Sequence, residues 1–530
     1  MRSISAPEQR LKVLQQRLAA LLYACLDELE PSPRRRTLSH GFVHERSILT
    51  NARAHRGRRH VLNVDLTDFF ETINFGRVRG VLMKDRRFLL DERVATLIAQ
   101  IACRNGVLPQ GAPSSPVLSN VVGHLLDIRM ARLSRHHGCR YTRYADDLTF
   151  STNEKEFPAG MAVAVGAAGD VWQAGPDLVD AVTRAGYALN PAKTRLQSNQ
   201  SRQTVTGLVV NQQVNVRSEY YRTVRSMCSE LFNTGSYYRM LPAHFAGGVA
   251  GDPDVKDVRA GRAGLAPLQG MLEHVYQVRN HYDERDSKEK KADPTATRKL
   301  YHKFLFYRNF VALERPLVIP EGKTDTIYLK AAIERLPAFH PRLGEVVGGV
   351  YRHALDFQRF SSKVHDILQL GGGTGDFLFF MKSYRSNLDR YRFRAMRQPV
   401  ILLIDNDGGA DNVFKEALKL GVPAIALKST APFYRLVDNL YLVKTDERGA
   451  SGKSCIEDLF DPALLKTKVN GLEFDPAKKH NAAGKYGKQI FAESVVKPNA
   501  ATIDFSGFER VLERIVAVLD DYAASPSPAP

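Results

Sequence analysis

Two adjacent carboxylates, Asp146 and Asp147, lie in the run Tyr-Ala-Asp-Asp between two apolar stretches that are predicted to be strands. A third acid, Asp65, ends the apolar run 61–65. Three such carboxylates could hold two Mg²⁺ ions, which activate a hydroxyl nucleophile and stabilise a leaving pyrophosphate in phosphoryl transfer. The spacing therefore predicts polymerase chemistry, with these three aspartates as catalytic metal ligands.

A second group of acids lies some 250 residues further along the chain. Glu321 follows the apolar run 317–320, and Asp405 and Asp407 follow another, 399–404. Residues i and i+2 of an extended chain share a face, so the two aspartates can converge on one cation, which Asp411 could join. Strands that are apolar throughout are typical of parallel sheets, which place their ligands at the carboxyl ends of the strands.

The first group resembles the catalytic blocks of reverse transcriptases, in order and in spacing. The matching blocks are Asp65 with Phe70, residues 108–116, Tyr144–Asp147 and residues 186–194. The resemblance implies that Phe70 lies under the sugar of an incoming deoxynucleoside triphosphate and excludes a 2′-hydroxyl. It further implies roles for the residues of two other blocks: Gln110 and Gly111 against the nucleotide and template, and Lys193 as a cation or general acid beside pyrophosphate, the alternative being a solvated lysine.

Two further motifs resemble those of bacterial retron reverse transcriptases. They are Asn51-Ala-Arg-Ala-His55, before the first catalytic acid, and Val205-Thr206-Gly207, after the lysine block. The resemblance implies contacts to RNA, although His55 could be a hydrogen-bonded structural histidine and 205–207 an ordinary strand-to-turn segment. It also implies a cognate structured non-coding RNA, priming from an internal guanosine 2′-hydroxyl, and a branched RNA-linked single-stranded DNA product.

The second group resembles the Toprim fold of topoisomerases, primases and OLD-family nucleases, from about residue 315 to about 443. Residues 424–427 and 440–443 would be further strands, and 454–460 and 478–488 look like the tail after nuclease-type Toprim domains. The resemblance implies that Glu321 is a general acid, base or ligand, and that Asp405 and Asp407 bind Mg²⁺ or Mn²⁺ for cleavage of a nucleic-acid target. A metal-free docking domain is the alternative.

The Gly-rich run 371–376 is expected to be a turn, because it lacks the ending of a Walker loop.

Charge and composition agree with a nucleic-acid enzyme. The 530 residues carry a formal charge of +18, of which +15 lies in residues 1–315 and +3 in residues 316–530. A basic excess on the polymerase half suits binding to phosphates, although basic surfaces also keep proteins soluble.

The five cysteines have no zinc spacing and suggest a reducing compartment. We find no signal peptide and no apolar span of about 20 residues, so we expect a cytoplasmic protein with no membrane partner.

The predicted fold class is an α+β right-hand polymerase followed by an α/β Toprim domain with a mainly parallel sheet. A chain of 530 residues is longer than a single hydrophobic core usually accommodates, so several domains are expected. The charged run 283–294 is the best boundary. The predicted domains are fingers and palm (1–215), a helical thumb (216–282), a charged linker with a connecting helix (283–314), the Toprim domain with its extension (315–522) and a disordered tail (523–530).

The predicted function is therefore a retron-type RNA-directed DNA polymerase fused to a nuclease effector that the RNA–DNA complex restrains, in a system that stops phage. Two alternatives stay open. The chain could be a mobile-element, intron-type reverse transcriptase, or its Toprim half could be a non-catalytic assembly module. The sequence leaves homo-oligomerisation open.

Overall fold

The computed structural model describes residues 4–29, 38–165, 171–241, 258–260, 264–476 and 484–525. The chain divides into two compact units. The first comprises Met1–Tyr221 and Gln277–Asp283, and the second comprises Arg222–Tyr276 and Glu284–Pro530. Parts of two predicted segments lie outside the described residues: 478–483 of the segment 478–488, and 526–530 of the predicted tail.

The strands of the first unit are His60–Asp65 (β1), Arg140–Tyr144 (β2), Asp147–Thr152 (β3), Ala162–Val165 (β4), Val171–Ala174 (β5), Arg195–Ser198 (β6), Thr204–Val205 (β7) and Leu208–Val209 (β8). Four of these strands form an antiparallel sheet in the order β2-β3-β1-β6. The pairs β4–β5 and β7–β8 form separate hairpins. Its helices are Gln9–Leu29 (α1), Ile48–Ala54 (α2), Phe69–Thr72 (α3), Phe75–Lys84 (α4), Glu92–Ala102 (α5), Ser115–His136 (α6) and Pro176–Arg184 (α7). The strands predicted on both sides of the acidic turn are confirmed as β2 and β3.

A buried ion pair joins α6 to β2 in the core of this unit. The Arg143 side chain is fully buried, and its Nε and Nη2 donate to the two carboxylate oxygens of Asp127, each at 2.8 Å. The Tyr141 hydroxyl donates to the same carboxylate at 2.8 Å. Gly123 leaves room for the guanidinium, because a Cβ there would lie 3.0 Å from Nη2. Burial raises the pKa of Tyr141 well above its ordinary value, and the negative charge of Asp127 adds to the shift.

The strands of the second unit are Arg239–Leu241 (β9), Val258–Ala260 (β10), Leu317–Pro320 (β11), Gly344–Val347 (β12), Val350–His353 (β13), Asp356–Phe357 (β14), Val400–Ile404 (β15), Tyr434–Val437 (β16), Leu440–Lys444 (β17), Glu473–Phe474 (β18) and Lys485–Tyr486 (β19). Five of these strands form a sheet in the order β14-β11-β15-β17-β16. All neighbouring pairs in this sheet are parallel except the β16–β17 edge. Strands β11, β15 and β17 are buried along their whole length, which agrees with their apolar sequences.

The helices that follow β8 are Ser218–Thr234 (α8), Leu265–Asn280 (α9), Ser287–Ala292 (α10), Ala296–Phe306 (α11), Asp325–Arg335 (α12), Ser362–Leu368 (α13), Thr374–Leu388 (α14), Asp411–Lys419 (α15), Pro462–Leu465 (α16), Lys488–Ile490 (α17) and Glu509–Ala524 (α18). Helix α18 extends to residue 524, so it includes the first two residues of the expected tail. None of the helices in the described segments combines the length and apolar character needed to cross a lipid bilayer.

The segment expected to be the thumb is divided between the two units. Residues 222–276 belong to the second unit, where the Phe232 ring packs 5.4 Å from Tyr391 and 5.7 Å from Tyr307. The expected connecting helix is also core rather than linker, since Phe304 and Phe310 are fully buried. Aromatic packing therefore places both segments in the second unit.

The strand predicted at residues 424–427 is wrong. These residues form no ladder, because side chains satisfy their backbone instead: the Leu427 carbonyl accepts from Lys444 Nζ and from Asn406 Nδ2, both at 2.8 Å. The strand predicted at 440–443 is confirmed as β17.

The Arg143–Asp127 pair yields a stability prediction for the first unit. Asp127→Ala leaves a guanidinium buried without its counter-charge, so we expect a loss of about 3–5 kcal/mol in the free energy of unfolding. Asp180→Ala is the control: it removes an exposed i,i+4 pair with Arg184 and should cost only about 0.3–0.5 kcal/mol. Urea unfolding followed by fluorescence of Trp172, the single tryptophan of the chain, reports on this unit. Equal midpoints for the two variants would contradict the assigned role.

Candidate functional site

The acidic turn joins β2 to β3 through Ala145 and Asp146. Ala145 has a φ of +55°, and Arg143 Nη1 donates to its carbonyl at 3.1 Å. The register of β1 and β3 places Asp65 directly opposite Asp147. The Leu66 amide donates to the Asp146 carbonyl at 3.0 Å, so the turn is tied to the end of β1. The structure therefore brings the backbones of the three predicted aspartates together at one edge of the sheet.

Lys193 lies at this edge, on a 3₁₀ turn formed by Pro191–Lys193. Its Nζ is 2.9 Å from both carboxylate oxygens of Asp65, a residue that is only 5% exposed. The Asn190 amide donates to the Asp65 carbonyl at 2.8 Å and holds the lysine-bearing turn against β1. Lys193 thus supplies the positive charge that compensates this carboxylate.

The neighbouring acids shift the pKa of Asp147. Desolvation, then the charges of Asp146 and Asp65, raises the pKa of Asp147 to about 6, while Lys193 opposes the shift. Within the described segments, no three His, Cys, Asp or Glu side chains are gathered closely enough to hold a metal ion as they stand. Both oxygens of Asp65 face an ammonium group instead.

The residues predicted to contact nucleotide and template lie on other elements of the first unit. Phe70 lies on α3, half-buried, with its ring 5.4 Å from Phe69 and 6.3 Å from Phe42. The Gln110 carbonyl accepts from the Ser5 amide at 2.8 Å. Gly111 has a φ of +109°, and a Cβ there would lie 2.8 Å from the Ser5 carbonyl oxygen. Glycine is therefore required at 111 both by conformation and by the close approach of the N-terminal segment.

Asn51 and His55 are fully buried and hydrogen-bond within the first unit. The Thr142 hydroxyl donates to Asn51 Oδ1 at 2.6 Å, and His55 contacts the hydroxyls of Thr142 and Ser151, each at 2.7 Å. Burial and nearby arginines lower the pKa of His55 to about 3, which keeps the ring neutral. This geometry favours the structural role of the motif, since neither side chain reaches the surface.

The Val205–Gly207 motif forms the tight turn between β7 and β8. Thr206 and Gly207 have φ values of +45° and +81°, the pattern of a two-residue hairpin turn. Val205 is buried, and the Thr206 hydroxyl donates to the Ile48 carbonyl in α2 at 3.3 Å. Both sequence motifs therefore meet at α2.

The second acidic group lies at the carboxyl ends of β11 and β15, within the second unit. The Asp405 amide donates to Glu321 Oε2 at 3.2 Å, and Asp405 Oδ1 accepts from the Ile456 amide at 2.9 Å. Asp407 begins a 3₁₀ turn and accepts from the Gly409 amide at 2.7 Å. The structure thus brings Glu321, Asp405 and Asp407 to one sheet end.

Three further charged residues belong to this group, although the sequence did not mark them as site residues. Desolvation, then Asp325, Glu321 and Glu457, raises the pKa of Asp405 to about 8. Lys488 opposes that shift, and its Nζ is 2.9 Å from Glu457 Oε2. Glu457 and Lys488 lie in the segments that resemble a nuclease-type tail, which was the available signal, but no spacing rule linked them to β15.

Residues 371–373 of the Gly-rich run form the turn before α14, and residues 374–376 are the first residues of that helix. The Gly373 amide donates to the Glu321 carbonyl at 2.9 Å, and a Cβ at Gly372 would lie 2.9 Å from the same oxygen. The run therefore packs directly against the strand end that carries Glu321.

Comparisons with known proteins match the first part of the chain. Residues 1–210 fit the family model described as reverse transcriptase (RNA-dependent DNA polymerase). The chain is 34% identical over 233 residues to the retron Ec86 reverse transcriptase of Escherichia coli, covering 44% of this chain and 66% of that protein. It is 36% identical over 245 residues to the retron Mx65 reverse transcriptase of Myxococcus xanthus, covering 43% and 52%. The chain therefore spans less than two thirds of the length of these relatives.

Among solved structures, apo telomerase from Candida tropicalis overlaps 55% of this chain and 52% of its own, with 12% identity and a TM-score of 0.28. That score is too low to support an argument about this chain.

The pKa of Asp147 gives a pH prediction. A carboxyl group whose folded pKa lies near 6, above its unfolded value of about 3.9, stabilises the fold below that lower value and loses this contribution as pH rises through 6. Lys193→Met removes a cation that lowers the pKa, so Asp147 should titrate at higher pH. Carboxyl ¹³C NMR of the metal-free protein measures the shift, and Lys155→Met, at an exposed lysine beyond the far end of β3, is the control. An unchanged midpoint in Lys193→Met would refute the coupling.

Proposed function

We propose that this chain, whose residues 1–210 form a reverse transcriptase domain, is a retron-type RNA-directed DNA polymerase. The observation that carries the proposal is the register of β1 and β3, which sets Asp65 opposite Asp147 at the Tyr-Ala-Asp-Asp turn. The retron reverse transcriptases matched by residues of this unit support the finer assignment.

The polymerase site would bind Mg²⁺ through Asp65, Asp146 and Asp147. The bound ions would lower the pKa of the primer hydroxyl and stabilise the charge on the leaving pyrophosphate. Lys193 pairs with Asp65, and when the metal ions bind, its ammonium would withdraw from the carboxylate and become available to the phosphates of a deoxynucleoside triphosphate. Phe70, half-buried on α3, would contact the sugar.

A cognate structured non-coding RNA would be both template and bound partner, and a branched RNA-linked DNA would be the product. The formal charge of +15 in residues 1–315 supports binding of such a polyanion. Because Asn51 and His55 are buried, they would act on RNA indirectly, by fixing the position of α2. An intron-type reverse transcriptase is the competing proposal, and the nucleic acid that co-purifies would separate the two.

The second unit would be a Toprim-like, metal-dependent nuclease. Its support is the gathering of Glu321, Asp405 and Asp407 at the carboxyl ends of parallel strands, with Lys488 close by. Carboxylates with raised pKa values would favour Mg²⁺ or Mn²⁺, and Lys488 would offer an ammonium to a phosphodiester. We further propose that the RNA–DNA complex restrains this activity until phage infection. A non-catalytic assembly module is the alternative.

The polymerase proposal predicts that Asp146→Asn and Asp147→Asn each reduce extension of a primer on an RNA template by roughly 10³-fold or more, because several kcal/mol of charge stabilisation is lost. Asp68→Asn is the matched control, since Asp68 is exposed and makes no side-chain cap at α3. Incorporation of labelled nucleotide measures the rate. Full extension by the Asp146 and Asp147 variants would discard the assignment.

The nuclease proposal predicts that Glu321→Gln and Asp405→Asn abolish divalent-metal-dependent cleavage while primer extension stays unchanged. Glu513→Gln, at an exposed position of α18, should leave both activities intact. Cleavage is measured on DNA, total RNA and tRNA in parallel. If Glu321→Gln retained cleavage, the acids at this sheet end would not be the nuclease site, and an absence of cleavage in the unsubstituted protein on every substrate would favour the assembly module.

A further inference from the structure

A groove of about 810 Å³ lies in the first unit beside α2, at the end of β2 remote from the acidic turn. Its charged lining comes from three elements: Arg53 of α2, Arg135 of α6 and Arg140 of β2, with Arg46 and His40 from the preceding loop. Arg140 begins β2 and Tyr144 ends it, so about 13 Å of extended strand separates Arg140 from the catalytic turn, although the lining reaches as far as Thr142. Asp65, Asp146 and Asp147 are not among the residues that line the groove.

The charged residues of the lining are all basic. Among the described residues that line the groove, none is Asp or Glu. Arg53, Arg135 and Arg140 are exposed. Burial lowers the pKa of His40 to about 3, and the charges of Arg46 and Arg140 add to the shift. A groove whose charged residues are arginines without neighbouring acids in its lining favours a polyanion.

Hydrogen bonds on both sides of α2 fix this helix, which forms part of the groove wall. Asn51 and His55 anchor α2 to Thr142 of β2 through buried hydrogen bonds. On the groove side, His40 Nδ1 contacts the Thr50 hydroxyl at 2.8 Å, and Arg46 Nη1 lies 3.1 Å from His40 Nε2.

Three residues lie between Asn51 and His55 in the motif. Ala52 is buried, whereas Arg53 and Ala54 line the groove. The buried members of the motif thus position the members that are presented to solvent.

We propose that this groove binds the phosphodiester backbone of the nucleic acid that the enzyme retains, outside the catalytic cleft. Guanidinium groups form bidentate, charge-assisted hydrogen bonds with phosphate oxygens, and three of them on three packed elements form a preorganised site. The proposal rests on the proposed function for the identity of the polyanion. RNA and single-stranded DNA share the phosphate chemistry, so the test distinguishes them.

The test uses the full chain with Arg135→Glu and Arg140→Glu combined, and fluorescence anisotropy with a labelled RNA hairpin and a single-stranded DNA of arbitrary sequence. Each lost phosphate contact should reduce the slope of log affinity against log salt by about 0.7–0.9, so the double variant should lose about 1.5 and bind about tenfold or more weakly at physiological salt. A loss confined to one probe identifies whether RNA or DNA occupies the groove.

The control variant combines Arg10→Glu and Arg184→Glu, which change the net charge equally at exposed positions of α1 and α7. Its affinity should change by less than about threefold, because charges far from the bound strand are screened. Arg135→Gln with Arg140→Gln repeats the test without charge reversal, and Trp172 fluorescence checks that each variant is folded. If the Arg135/Arg140 variants bind both probes as the control does, the proposal is overturned.

Primer extension by the unsubstituted protein separates this proposal from the proposed function. A chain that binds both probes through the groove but extends no primer would overturn the polymerase assignment and leave the groove assignment standing. A chain that extends primers but whose groove variants bind normally would overturn the groove alone.

Discussion

The buried ion pair between Arg143 and Asp127 is the constraint on which the first unit depends. A guanidinium excluded from water is stable only with its counter-charge and its hydrogen bonds satisfied, and here two oxygens of Asp127 and the Ala145 carbonyl satisfy it. Since Arg143 precedes the acidic turn by two residues, the same side chain fixes β2 against α6 and holds the backbone of the turn. The turn held in this way leads into β3, whose first residue, Asp147, lies opposite Asp65 in the register of β1 and β3.

Residues close together in sequence were predictable, and contacts between distant segments were not. The Tyr-Ala-Asp-Asp turn and the strand carrying Asp65 follow from local spacing and from a family resemblance covering one block after another. The pairing of Lys193 with Asp65 does not, because it depends on where the 3₁₀ turn 191–193 lies against β1. Likewise, Lys488 pairs with Glu457, and its charge lowers the pKa of Asp405, which lies more than 80 residues earlier in the chain. The strand expected at 424–427 failed because buried side chains of Lys444 and Asn406 took the backbone bonds that a ladder would have used.

The two acidic groups share one electrostatic design, although they lie in different units and on different sheets. In each, strands carry carboxylates to a sheet end, where desolvation and then mutual repulsion raise pKa values: that of Asp147 in the first group, and those of Asp405, Glu321 and Asp325 in the second. In each, a lysine from a later segment supplies a compensating charge: Lys193 to Asp65, and Lys488 to Glu457. The lysine charge opposes the rise in the pKa of Asp147 in the first group and of Asp405 in the second, so the lysine is part of the site.

The sequence motif at residues 51–55 illustrates why a motif can mark a binding surface without touching the ligand. Asn51 and His55 are chemically suited to contact RNA, yet both are fully buried and hydrogen-bonded to hydroxyls of β2 and β3. A helix of seven residues has too few internal bonds to fix its own orientation. Buried polar anchors at both ends of the motif supply that orientation, and the Thr206 hydroxyl adds a third from the β7–β8 turn. Of the residues between the anchors, Arg53 is exposed and is held at a defined position, which accounts for its presence in the wall of a basic groove.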